Sequence, residues 1–128
     1  MTIVPLFTDE NIYFAIECKR IKILPDCEDY ILDTEKFANR NYTNTRLPFE
    51  GQIAFIENNK LTHQSVSNEI NRRLPKRTTL NTTQLLKIIS KHSIFSGCYY
   101  SIHKKNYGVN ELFDVFHLLF DYSPFVVN

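Results

Sequence analysis

The segment from Ile12 to Ile21, IYFAIECKRI, constrains the chain more than any other. Successive side chains of a β-strand point to opposite faces. Read as a strand, it sets Tyr13, Ala15, Glu17 and Lys19 on one face and Ile12, Phe14, Ile16 and Cys18 on the other. The residues before it, TIVPLFT at 2–8, are β-branched and apolar, and Pro5 marks them as an edge strand. Asp9-Glu10-Asn11 between the two supplies turn chemistry. The first 21 residues therefore read as a hairpin.

The period then changes. In EDYILDTEKFANRNY (28–42), Tyr30, Ile31, Thr34, Phe37, Ala38 and Tyr42 recur at helical spacing. TNTRLPFEG breaks that helix, and GQIAFIE (51–57) is a short strand ended by Asn58-Asn59. Thr62 is a helix N-cap, with Leu61 and Val66 spaced as a hydrophobic staple. That helix runs to Leu74, where Pro75 stops it. QLLKIIS (84–90) fits a strand or a short helix, and CYYSIHK (98–104) alternates as a strand. ELFDVFHLLFD (111–121) satisfies both periods and is read as a strand. The expectation is one α+β domain over residues 1–128, since a chain of this length with 43% hydrophobic residues can bury a modest core.

Composition narrows the function classes. A formal net charge of +1 does not mark a nucleic-acid binder, so any such role rests on local patches. Cys18, Cys27 and Cys98 are odd in number and widely spaced, against both a disulfide framework and a structural zinc site. Reduced thiols in a cytoplasmic protein are expected. The N-terminus lacks the basic and long apolar regions of a signal peptide, and no apolar run approaches ~20 residues, so no membrane association is expected. No Gly-x-Ser-x-Gly elbow, Cys/His signature or Gly-rich phosphate loop occurs.

Chemistry concentrates in Glu17-Cys18-Lys19. Magnesium prefers oxygen ligands, commonly one or two carboxylates with phosphate and water. Phosphodiester hydrolysis needs a metal to activate water and a cation to neutralise developing charge. Glu-x-Lys on a strand puts ligand and cation over one surface. By itself the pattern is common on solvated strand faces. Here the two charges interrupt an otherwise apolar strand and a helix bearing Lys36 and Arg40 follows.

IECKRI, the Tyr-initiated helix, GQIAFIE, and the closing segments CYYSIHKK and VFHLLFDYS together resemble uncharacterised bacterial and phage members of the PD-(D/E)XK, restriction-endonuclease-like nuclease superfamily. The resemblance runs from about residue 3 to residue 123, with IECKRI its one specific motif. It implies a mixed β-sheet flanked by helices in an α/β sandwich. It also implies a hydrolase acting on DNA with Mg2+ or Mn2+, in which Glu17 and the backbone carbonyl of Cys18 bind the metal and Glu17 and Lys19 are catalytic. The resembled pattern places an aspartate on the preceding strand. Asp9 is eight residues before Glu17, roughly 26 Å away along a strand. With a turn centred on Glu10, the position facing Glu17 is about Ile3. The metal-binding aspartate is therefore expected at or before the start of this chain, making the fold N-terminally incomplete. A late start, a decayed or split nuclease, or a domain that kept only binding are the three accounts of that departure.

Lys36 and Arg40 are candidate contacts to DNA phosphates, beside the alternative of a solvated helix face. Arg72, Arg73, Lys76 and Arg77 form the densest basic cluster, readable as a phosphate patch or as a basic helix C-terminus. His103 and His117 read as hydrogen-bonded structural histidines, His63 and His92 as loop or helix-end residues, and Glu50 and Gln52 as turn residues before a strand. The leading expectation is a Mg-dependent nuclease with DNA as partner, the assembly being open between a homodimer and a complex with another protein. The rival is a non-catalytic nucleic-acid-binding or protein-interaction domain of the same fold, such as an immunity partner. A third reading is an unrelated α+β domain in which Glu17 and Lys19 are a surface pair.

Overall fold

The computed structural model describes residues 2–3, 15–40, 49–89, 96–107 and 111–126. They form a mixed α+β fold. Strands β1 (Thr2–Ile3), β2 (Ile16–Ile21), β3 (Phe49–Ile56), β4 (Thr82–Ile88), β5 (Cys98–Lys104) and β6 (Leu112–Asp121) make one sheet in the order β1-β2-β3-β6-β5-β4. Helix α1 (Cys27–Asn39) joins β2 to β3, and α2 (His63–Arg73) follows β3. β2, β3 and β6 are parallel neighbours, β1 is antiparallel to β2, and β5 is antiparallel to both β6 and β4.

The alternation along each strand sets the layers. Glu50, Gln52, Ala54 and Ile56 of β3 are buried, as are Phe113, Val115, His117 and Leu119 of β6 and Tyr99, Ser101 and His103 of β5. All face the two helices. α1 contributes Cys27, Tyr30, Ile31, Phe37 and Ala38 to this core, and α2 contributes Val66 and Ile70. Among the described residues both helices lie on this side. The opposite face carries Phe116, 45% exposed, and partly exposed Ile16, Ile53, Phe55 and Leu118. The second helical layer of the expected sandwich is therefore not found among the described residues.

Local chemistry explains the boundaries. The Asp26 carboxylate accepts from the Lys22 and Ile23 amides at 2.9 and 3.2 Å, turning the chain from β2 into a 3-10 turn (Leu24–Asp26) ahead of α1. At the far end of α1 the Lys105 ammonium donates to the Phe37 carbonyl at 2.7 Å, and the Asn106 amide donates to that of Ala38. Thr62 caps α2 by accepting from the Ser65 amide, and Leu61 packs against the core that holds Val66. Pro75 falls in a 3-10 turn (Leu74–Lys76) that ends α2. The segment read as strand or short helix is strand through Ile88, as β4, and the closing segment is strand as expected, as β6. Gly97 has a steric reason: a Cβ there would lie 2.1 Å from the Leu119 carbonyl oxygen, whose residue's amide donates to Gly97. No described helix is long and apolar enough to cross a membrane.

Strand β4 ends the sheet order, and α2 holds it through one side chain. Asn71 accepts from the Leu86 amide at 2.8 Å and donates to the Leu86 carbonyl at 3.1 Å, acting as a neighbouring strand would. Asn71→Ala should lower stability by about 1–3 kcal/mol, because both backbone groups lose their partner. Urea unfolding checks the magnitude. Amide exchange should show faster opening at Leu86 than at Leu119, and equal protection would contradict the clamp.

Candidate functional site

β2 is a strand, and its alternation puts Glu17 and Lys19 on the face roofed by α1. Glu17 pairs with Gln52 of β3 on one side and with Thr2 of β1 on the other. The hairpin register is thus one residue from the expected one: Thr2, not Ile3, faces Glu17. Asp9 and Glu10 lie outside the described residues. Cys18 projects to the opposite face with a half-buried thiol whose pKa burial raises.

Above Lys19 stands Asp33, a residue sequence reasoning did not single out. It sits on α1 at 1% exposure. Its Oδ2 is 3.8 Å from the Lys19 Nζ and its Oδ1 is 3.4 Å from that of Lys36. The 3.8 Å contact is Coulombic, outside hydrogen-bond range, and Oδ2 has no hydrogen-bond partner. Burial raises the Asp33 pKa; Lys19 and Lys36 oppose that shift, and Glu17 adds to it as a like charge. A buried carboxylate oxygen without a donor is unfavourable, and a hard cation with oxygen preference fits it.

Both residues given a turn role lie in β3: Gln52 within the segment read as strand, and Glu50 in a strand that begins earlier than expected, at Phe49. Both are buried in β3, and Glu50 Oε2 accepts from the Ala15 amide at 3.4 Å. Gln52 accepts from the Thr34 hydroxyl and donates to the Tyr30 carbonyl at 2.8 Å, so it ties α1 to the sheet. The alternation Glu50, Gln52, Ala54, Ile56 was the available signal.

From Tyr30 a polar line crosses the core. Its hydroxyl meets His117 Nδ1 at 2.7 Å, and Ser101 Oγ lies 2.7 Å from both His117 Nε2 and His103 Nε2. Thr82 closes the line at 3.0 Å from His103 Nδ1. Each neutral imidazole offers one donor and one acceptor, so every link can be made. Burial pushes the pKa of His103 down to about 4 and that of His117 to about 3. Both are structural, as the sequence suggested. His63 opens α2 and bonds the Tyr99 hydroxyl at 2.7 Å, while His92 lies outside the described residues.

The basic candidates separate. Lys36 pairs with Asp33, and Arg40 is the exposed C-cap of α1. Three of the four members of the second cluster are ion-paired, within α2 or from α2 and the turn after it to α1. Arg72 pairs with Glu69, Arg73 with Glu69 at 2.9 Å and Glu28 at 2.8 Å, and Arg77 with Glu35 and, at 3.4 Å, Glu28. Hydrogen bonds from Arg72 and Arg73 lower the pKa of Glu69 to about 2. Lys76 is exposed. Among the described residues no group of three or more His, Cys, Asp or Glu is gathered to hold a metal ion. Comparison with known protein families, curated proteins and solved structures returns no match.

Two measurements test this geometry. The folded chain keeps His103 and His117 neutral, whereas the unfolded chain protonates them near 6.5. As pH falls through 6.5 the unfolded state gains protons, so stability should drop by about 1.4 kcal/mol per pH unit for each histidine, continuing to about 4 for His103 and about 3 for His117. Urea midpoints at pH 7, 6 and 5 read this directly; a flat profile contradicts it. Lys19→Met should raise the Asp33 pKa further, because one of its two opposing ammonium groups is gone. Carboxyl carbon NMR follows that titration, and an unchanged midpoint means Lys19 does not act on Asp33.

Proposed function

We propose that the face of β2 under α1 is the site of a metal-dependent phosphodiesterase acting on DNA, of the restriction-endonuclease-like kind. The observation that carries this reading is the co-facial pair Glu17 and Lys19, set on a sheet strand beneath a helix instead of on an open surface. A Mg2+ or Mn2+ ion held by Glu17 and the Cys18 carbonyl would supply an activated water and neutralise phosphate charge. Lys19 is the cation beside the scissile phosphate, its ammonium 3.8 Å from Asp33. Lys36 and Arg40 extend a basic flank along the end of α1. Phosphate contact at Arg72, Arg73 or Arg77 competes with Glu28, Glu35 and Glu69, which leaves exposed Lys76 as the readier cation of that cluster.

A second reading has its own observation. Thr2 rather than an acid faces Glu17, which favours a non-catalytic nucleic-acid-binding or interaction domain with the same fold. Supercoiled plasmid incubated with the protein and Mg2+ or Mn2+ separates the two. Nicking that EDTA abolishes, and that Glu17→Ala and Lys19→Ala each reduce by about 10²–10³-fold, is the expected outcome. DNA binding without cleavage, unchanged by Glu17→Ala, establishes the second reading instead.

A further inference from the structure

We infer that Asp33, delivered by α1, is the second carboxylate of the cation site and works with Glu17 across the gap between β2 and the helix. The inference rests on the metal-site reading above and supplies the acid that β1 lacks, since the described residues of β1 are Thr2 and Ile3.

Three features of Asp33 exceed what a structural ion pair needs. It is almost fully buried, yet one carboxylate oxygen has no hydrogen-bond donor. A lysine carries three donors and a flexible stem, and Lys19 still stops at 3.8 Å, its side chain 39% exposed. The carboxylate also feels Glu17 as a like charge, with Lys19 and Lys36 opposing it. A divalent ion between Glu17 and Asp33, completed by water, removes each cost. It satisfies Oδ2, offsets the like charges and releases Lys19 toward an incoming phosphate. Magnesium usually binds proteins through one or two carboxylates and keeps several waters, so two acids suffice where no larger ligand cluster is gathered among the described residues. The placement follows from helix phase. Tyr30, Ile31, Thr34, Phe37 and Ala38 are the buried stripe of α1, and Asp33 shares that burial at its edge over β2.

The test is Mn2+ binding by the full chain without nucleic acid, read from the free-ion electron paramagnetic resonance signal. The wild-type chain should take up Mn2+, and Asp33→Asn and Glu17→Gln should each weaken uptake by about 10- to 100-fold. In the wild-type chain, bound Mn2+ should broaden the Asp33 carboxyl resonance, a readout independent of whether the variants fold. Uptake by Asp33→Asn equal to wild type, with Glu17→Gln weakened, overturns the inference and leaves the Glu17 site and the nuclease reading standing. An Asp33 resonance that stays sharp while Mn2+ is bound overturns it in the same way. No Mn2+ uptake by the wild-type chain at millimolar concentration overturns the inference and the metal-site reading together.

Discussion

The docking of α1 onto the sheet is the constraint on which the rest depends. It is made by apolar burial of Tyr30, Ile31, Phe37 and Ala38, but its register is set by polar contacts. Gln52 reaches the Tyr30 carbonyl, Thr34 reaches Gln52, and the Tyr30 hydroxyl reaches His117. Apolar contact alone tolerates sliding and rotation, whereas buried hydrogen bonds are costly to leave unmade. The helix therefore has one seat. That seat puts Asp33 over Lys19, and Lys105 and Asn106 hold the other end of α1.

The two helices are joined to each other by charge. Glu28 and Glu35 of α1 and Glu69 of α2 engage Arg73 and Arg77, with Arg72 also on Glu69. These pairs are partly buried except at Arg72, and pairs near the surface contribute modestly individually. Their effect here is to fix the angle between the helices and to neutralise the densest basic run of the chain. A modest global charge of +1 thus becomes a surface whose cations are mostly spoken for on the α2 side, with Lys36 and Arg40 at the other flank of α1.

The sheet is asymmetric in a way that bears on the site. One face holds the helices and every buried polar group described above. The other presents Phe116, Ile16, Ile53 and Phe55 in partial contact with solvent. Chemistry and core share one side of the sheet, so a change in the seat of α1 changes both.

Periodicity made the secondary structure legible. Strand alternation in IECKRI, helical spacing from Tyr30 to Ala38, the Thr62 cap and the alternation of CYYSIHK could be read from local chemistry, because each depends on neighbours in sequence, whereas 84–90 and 111–121 fit two periods until the sheet pairs them. The shared face of Glu17 and Lys19 belongs to the same class, being a property of strand geometry alone. What only the tertiary structure decided is which residues from distant segments meet there. Local sequence does not distinguish Asp33 or Glu50 from a surface acid, since a buried acid and a solvated one look alike until a sheet is placed beneath the helix. Arg72, Arg73 and Arg77 read equally as a phosphate patch or a basic helix C-terminus; Glu69 lies within one turn of Arg72 and Arg73, but the Glu28 and Glu35 that Arg73 and Arg77 reach lie more than thirty residues away in the chain. Local propensity carries no information on such partners; the packing of α1 and α2 against one sheet face does.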